Sequence, residues 1–161
     1  MPNFLEQLVA EWYEYQGFFV RRNVNVGKRS QGGHEGELDV VAFHPDKTRL
    51  VHVETSMDAD SWGERETKFA RKFNAGKKFV PSLFAGLEPL PEIEYVASIG
   101  IGSDKNHASV GGGRVQTVRD LLGEIRDKMP HDFSSQAVPE QFVILRALQF
   151  AAECWLPKKK H

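Results

Sequence analysis

Apolar positions along the chain recur with two different periods, and their order predicts the elements. Over residues 3–16, Phe4, Leu5, Leu8, Val9, Trp12 and Tyr15 return every three or four residues, the single stripe of an amphipathic helix. Gly17 closes it in the usual C-terminal manner. Residues 18–26 read as a strand with alternation at its end, and the polar, glycine-rich stretch 27–35 as a loop. Two apolar runs at 36–44 and 49–56 read as strands. The turn-rich link His44-Pro45-Asp46-Lys47-Thr48 is short enough to join them as a hairpin.

Trp62, Phe69, Ala70 and Phe73 give the apolar face of a second helix over 60–75, with Arg65, Lys68 and Lys72 together on its flank. Pro81, Pro89 and Pro91 break the chain. Residues 93–101 read as a further strand and 102–113 as a glycine-rich loop. A helix is predicted from Thr117 to Met129, with Asp120 as capping partner, and another from about Pro139 to Trp155. The order α-β-β-β-α-β-α-α predicts an α/β fold, a mixed β-sheet flanked by helices, in a single domain over residues 1–161.

Two of the predicted strands break the apolar rule. Asp39 lies within Gly36-Glu37-Leu38-Asp39-Val40-Val41-Ala42-Phe43, and Glu54 within Leu50-Val51-His52-Val53-Glu54-Thr55-Ser56. A charge in a buried strand is costly unless a partner or a metal offsets it. Alternation puts His52, Glu54 and Ser56 on one face of their strand, and Glu37, Asp39 and Val41 on one face of theirs. If the strands pair, the two acids converge. A divalent ion with a preference for oxygen ligands would relieve their repulsion, and so would nearby arginines without any metal.

Composition narrows the setting. There is one cysteine, Cys154, which excludes an intrachain disulfide framework and a multi-cysteine zinc site. No apolar run approaches bilayer length and no basic-then-apolar leader opens the chain. A protein of a reducing, cytoplasmic compartment, with no membrane partner, is the expectation. With 21 basic and 22 acidic residues the chain is not a general nucleic-acid coat. Its basic residues are nonetheless clustered, at Arg21, Arg22, Lys28 and Arg29 and again at Arg65, Lys68, Arg71, Lys72, Lys77 and Lys78. Such clusters either form a solvated face or grip phosphates. The terminal 158–161 stretch reads as a frayed tail.

These residues resemble the PD-(D/E)XK nuclease superfamily, the restriction-endonuclease-like fold, and within it the Mrr-type endonucleases and Holliday-junction resolvases. The matching pieces are Gly36-Glu37-Leu38-Asp39-Val40-Val41-Ala42, Val51-His52-Val53-Glu54-Thr55-Ser56, and Glu6-Gln7-Leu8-Val9-Ala10-Glu11-Trp12 leading to Gly17-Phe18-Phe19-Val20. Each is short and degenerate; their joint order and spacing, across residues 4–101, carry the signal. The resemblance implies a metal-dependent endonuclease acting on duplex or branched DNA with Mg²⁺ or Mn²⁺, as a possible homodimer. By position, Asp39 and Glu54 would be metal ligands, with the Thr55 carbonyl as a third contact. Glu6, which fits the helix position better than Glu11, would bind a second metal or orient a water. Arg21, Arg22, Lys28, Arg29, Arg65 and Lys72 would contact nucleic acid.

One position departs from the family pattern. The motif lysine falls at Ser56, which carries no charge and is a poor base. Three explanations compete: the role passes to the following helix, to Lys68 or Arg65; the metal acts alone and slowly; or the site has lost catalysis and binds nucleic acid or a protein partner. A third class of reading has structural ion pairs and no nucleic acid at all. His52 would either touch phosphate and carry a proton or pack as a strand residue. Trp62 would stack on a base or join the core. The glycine stretches at 27–30 and 100–102 fail the phosphate-loop and dinucleotide patterns, and the histidines lack zinc spacing.

Overall fold

The computed structural model describes residues 3–102 and 104–155, so the predicted tail at 158–161 lies outside the described residues. The chain divides into two compact units, one up to Val118 and one from Arg119 onward. The first holds α1 (Phe4–Tyr15), β1 (Phe19–Lys28), β2 (His34–His44), β3 (Arg49–Ser56), α2 (Trp62–Leu83), β4 (Ile93–Ile99), β5 (Ser109–Val110) and β6 (Gly113–Thr117). α3 (Val118–Lys128) and α4 (Val143–Trp155) follow. The architecture is α/β, with the helices and the longer strands in the predicted order. Among the described residues no helix is long and apolar enough to cross a membrane.

The six strands form one mixed sheet in the order β1-β2-β3-β4-β6-β5. β1, β2 and β3 are joined antiparallel, β3, β4 and β6 run parallel, and β5 turns back on β6. The parallel β3–β4 pair needs a crossover, and α2 supplies it. α2 packs on one face of the sheet. Val80 meets Val41 and Leu50, while Phe69 and Phe73 meet Ala97 and Ile99. The Asn3 side chain at the head of α1 reaches Thr55 Oγ1 at 3.3 Å, on the face opposite Glu54. Leu5, Leu8 and Val9 of α1 are fully buried.

Three differences from the sequence reading have physical causes. α2 runs past the predicted end at residue 75 to Leu83, with Pro81 in its last turn. The stripe Phe69, Phe73, Gly76, Val80 continues at helical spacing, and its burial outweighs the one intrahelical hydrogen bond that Pro81 cannot donate. The last helix begins at Val143 rather than near Pro139, whose carbonyl instead closes a turn with Phe142 N–H. The predicted loop 102–113 also contains a hairpin. Gly111 and Gly112 have φ of 58° and 87°, the left-handed pair a tight two-residue hairpin requires. Gly111 lies so close to the α2 backbone at Phe69 and Ala70 that no side chain fits there.

In the second unit Leu121, Ile125, Val138 and Leu145 are buried. Gln149 is fully buried yet satisfied. Its Oε1 accepts Val138 N–H at 2.8 Å, and its Nε2 donates to the carbonyls of Pro130 and Gln136 at 2.7 and 2.9 Å.

Candidate active site

The β2–β3 ladder is paired from His44–Arg49 as far as Val40–Val53. Beyond that point the backbone groups of the two strands are free to meet side chains, and this is where both acids lie. Thr55 N–H donates to Asp39 Oδ2 at 2.8 Å, and Thr55 Oγ1 lies 3.0 Å from the same oxygen. Asp39 N–H donates in turn to Glu54 Oε1 at 3.3 Å. His52 Nε2 stands 2.6 Å from that same Glu54 oxygen. A carboxylate only accepts, so Nε2 carries the proton.

One oxygen of each acid is therefore tied into the sheet. The other two, Asp39 Oδ1 and Glu54 Oε2, converge on a single cation, the Lys72 ammonium of α2, at 2.9 Å from Asp39 and in a short contact with Glu54. Glu54 is fully buried, Asp39 is 10% exposed and Lys72 23%. The ammonium is the most exposed of the three. The attraction of Glu54 and Asp39 outweighs the desolvation of Lys72 and holds its pKa above the ordinary 10.5.

Simple alternation does not describe β2. Leu38 and Val41 pack in the same cluster although three residues apart, so the faces slip by one residue between them. Opposite this slip Asn23 of β1 takes φ 51°, a conformation asparagine tolerates better than most residues. The predicted common face of Glu37, Asp39 and Val41 is thus broken at Asp39. Among the described residues no three His, Cys, Asp or Glu side chains are grouped to hold a metal by themselves.

Glu6 of α1 is 4% exposed and its Oε1 has no partner. Burial raises its carboxyl pKa, the Asp39 charge adds to the rise, and a hydrogen bond from Asn23 opposes it. The sign follows: a group protonated more readily when folded adds stability below its ordinary value of 4.5 and loses it as pH rises through the folded value. Glu6→Gln is expected to raise the melting temperature at pH 7. In thermal unfolding between pH 4 and 8 the gain should shrink towards the acid end; a lower melting temperature at pH 7 would contradict the assignment.

The remaining predicted residues fall in different places. Lys68 does not reach the acid pair. It pairs with Asp58 in a short contact and with Asp60 at 3.4 Å, and lies 3.5 Å from Ser56 Oγ. Lys72, expected on the nucleic-acid surface, is the cation inside the site. Arg65, also expected there, is buried; its Nη2 donates to the carbonyls of Asp58 and Ile101 at 3.2 and 2.7 Å. It ties together the segments that leave β3 and β4 and is not presented to a ligand. Arg21, Arg22, Lys28 and Arg29 are exposed on β1 and the turn after it. Trp62 stacks on His107, with ring centroids 3.9 Å apart, and Arg65 lies 5.0 Å from its ring.

His52 is fully buried between Phe73 and Tyr95, so it touches Glu54 and not solvent. Its ring lies against Gly76, a residue that sequence reasoning missed; a glycine breaking the apolar stripe of α2 was the available signal. The two donors of Thr55 to Asp39 were also missed. In an extended strand a residue's N–H and C=O leave on the same side, so the Thr55 carbonyl faces β2 as well.

No known family model matches the chain, and no functionally characterised protein matches it in sequence. Among solved structures the chain is similar to the crystal structure of AF1548, a protein of unknown function, at 18% identity. The match covers 92% of this chain and 77% of that one, with a TM-score of 0.47.

Proposed function

We propose that the Asp39–Glu54 site hydrolyses phosphodiester bonds in DNA with Mg²⁺ or Mn²⁺, the chemistry of the PD-(D/E)XK nucleases. One observation carries the reading: Asp39 Oδ1 and Glu54 Oε2 converge on one cation while their sister oxygens are fixed by Thr55, His52 and the Asp39 amide. The donor set fits a hard divalent ion, since carboxylate and carbonyl oxygens are what such ions take. The ammonium of Lys72 stands where a cation is stabilised, and Glu6 Oε1 is a buried acceptor without a partner near Asp39.

In this reading Asp39, Glu54 and the Thr55 carbonyl hold the ion. Such an ion lowers the pKa of a water and offsets charge growing on a phosphoryl oxygen. The rest is done by the chain. Thr55 fixes the Asp39 carboxylate and His52 fixes that of Glu54, so neither turns away when a substrate arrives. Glu6 Oε1 accepts a hydrogen bond from a water beside Asp39. Lys72 supplies the positive charge that Ser56 lacks. Lys68 is already occupied by Asp58 and Asp60 and takes no part. Arg21, Arg22, Lys28 and Arg29 contact the phosphate backbone, which makes binding fall with salt. The substrate is duplex or branched DNA, and cutting both strands calls for a homodimer. A single free cysteine, Cys154, suits a reducing cytoplasm.

Plasmid and branched DNA incubated with Mg²⁺ or Mn²⁺ provide the test. Cleavage is expected in the parent, absent with a chelator and slowed by about 10²–10³-fold in Asp39→Ala. Cleavage by Asp39→Ala at the parent's rate would overturn the proposal. Lys68→Ala is expected to keep the activity within about threefold, and Lys72→Ala to lose about 10²-fold or more.

A second reading is favoured by the same ion pairs. Lys72 already satisfies both acids, as in a site that binds nucleic acid or a protein partner without cutting. Its signature is retained DNA or protein binding with neither metal uptake nor cleavage.

A further inference from the structure

The acid pair and Lys72 form an arrangement that must change before a divalent ion can enter. We propose that Lys72 is a tethered counter-ion, exchanged for the metal and passed onto a substrate phosphate. The idea rests on the hydrolase reading above. Each acid offers only one oxygen that the sheet does not already hold, and both of those oxygens point at Lys72 Nζ. With Glu54 fully buried and Asp39 nearly so, an ion that reaches both oxygens takes the position of the ammonium. The two cations cannot share it, because they repel at contact distance in a poorly screened site.

Without Lys72 the resting site would hold two acids with no cation between them, a costly state in a buried place. With it the acids stay charged and aimed. α2 itself is fixed, because Phe69, Phe73 and Gly76 on either side of Lys72 are buried. The motion is therefore confined to the flexible four-carbon stem of the lysine. Asp58 and Asp60, in the segment after β3, are already paired with Lys68. The anion that the reaction brings is a phosphate. Metal and polynucleotide should then each strengthen the binding of the other, and by the same factor.

Calorimetric titration of the full chain with Mg²⁺ in the absence of DNA tests the exchange. Lys72→Met removes the competitor, so Mg²⁺ is expected to bind about tenfold or more tightly than to the parent. Lys72→Arg keeps the charge and should bind no more tightly than the parent. Equal or weaker Mg²⁺ binding by Lys72→Met would overturn the proposal. Should Lys72→Met not fold, the parent still decides the matter. The ¹⁵Nζ resonance of Lys72, assigned by its loss in Lys72→Arg, is expected to shift with the midpoint of the Mg²⁺ titration. A resonance that stays in place at saturating Mg²⁺ would overturn the exchange. Asp39-dependent cleavage combined with Mg²⁺ affinity indifferent to Lys72 removes this inference alone. No Mg²⁺ uptake and no cleavage by the parent removes the hydrolase reading as well.

Discussion

Asp39→Ala is expected to slow Mg²⁺-dependent DNA cleavage by about 10²–10³-fold, the range for losing a main electrostatic contact of a reacting centre. Asp39 has two duties, and the substitution removes both. Its Oδ1 is one of the pair of oxygens that meet a cation, and its Oδ2 accepts from Thr55 N–H and Oγ1. The second loss leaves a buried backbone donor unsatisfied, which costs about 1–3 kcal/mol of stability. Asp39→Asn separates the duties. An amide oxygen turned towards Thr55 keeps that hydrogen bond, while the amide nitrogen faces Lys72 and offers no oxygen to an ion. Denaturant titration should find Asp39→Asn closer to the parent than Asp39→Ala. Single-turnover cleavage should find both variants slowed to that extent. Activity in Asp39→Asn approaching that of the parent would contradict the role of Oδ1.

The second large effect is expected at a residue with no functional group. A methyl at Gly76 would sit 2.5 Å from His52 Cε1 and nearer still to Nδ1. His52 cannot yield: it is fully buried, Phe73 and Tyr95 meet its ring edge-on, and Nε2 holds Glu54. Alanine favours a helix over glycine by about 1 kcal/mol, so an exposed position would gain from the change. Overpacking of a filled core costs about 1–3 kcal/mol or more, and here it wins. Gly76→Ala should lower the melting temperature by about 4–8 °C. It should also reduce cleavage, because a displaced His52 no longer aims Glu54. A variant as stable as the parent would mean that the ring can move aside. His52→Gln, which keeps a donor towards Glu54, should retain more activity than His52→Leu.

The elements legible in the sequence are those whose evidence is local. The stripe of α1, the hairpin between β2 and β3 and the crossover helix all follow from residue spacing and turn residues. The short β5–β6 hairpin was hidden because Gly111-Gly112 reads equally as a loop and as a tight turn. Only the approach of Gly111 to the backbone of α2 selects the turn. The continuation of α2 past Pro81 was hidden for a similar reason. Pro81 forfeits one intrahelical donor near the end of α2, and burial of Phe73 and Val80 outweighs that loss.

At the site, the convergence of Asp39 and Glu54 was legible, since acids in apolar strands joined by a short turn must be accommodated together. The choice of lysine was not. Lys68 and Lys72 lie one helical turn apart on the same flank of α2, and spacing alone treats them alike. The distinction comes from Asp58 and Asp60, which follow β3 and capture Lys68 first. Arg65 was misread for the same reason, because the carbonyls of Asp58 and Ile101 that bury it come from segments far apart in sequence.

By itself, then, the sequence determined the order of the helices and the longer strands and that two acids must share one environment, because periodicity and the cost of burying charge act within or between neighbouring segments. Only the tertiary structure decided which cation meets those acids, which oxygen of each remains open, and why a histidine requires a glycine beneath it. Those outcomes depend on where α2 lies across the sheet, and that position is set by packing among residues the chain order keeps apart.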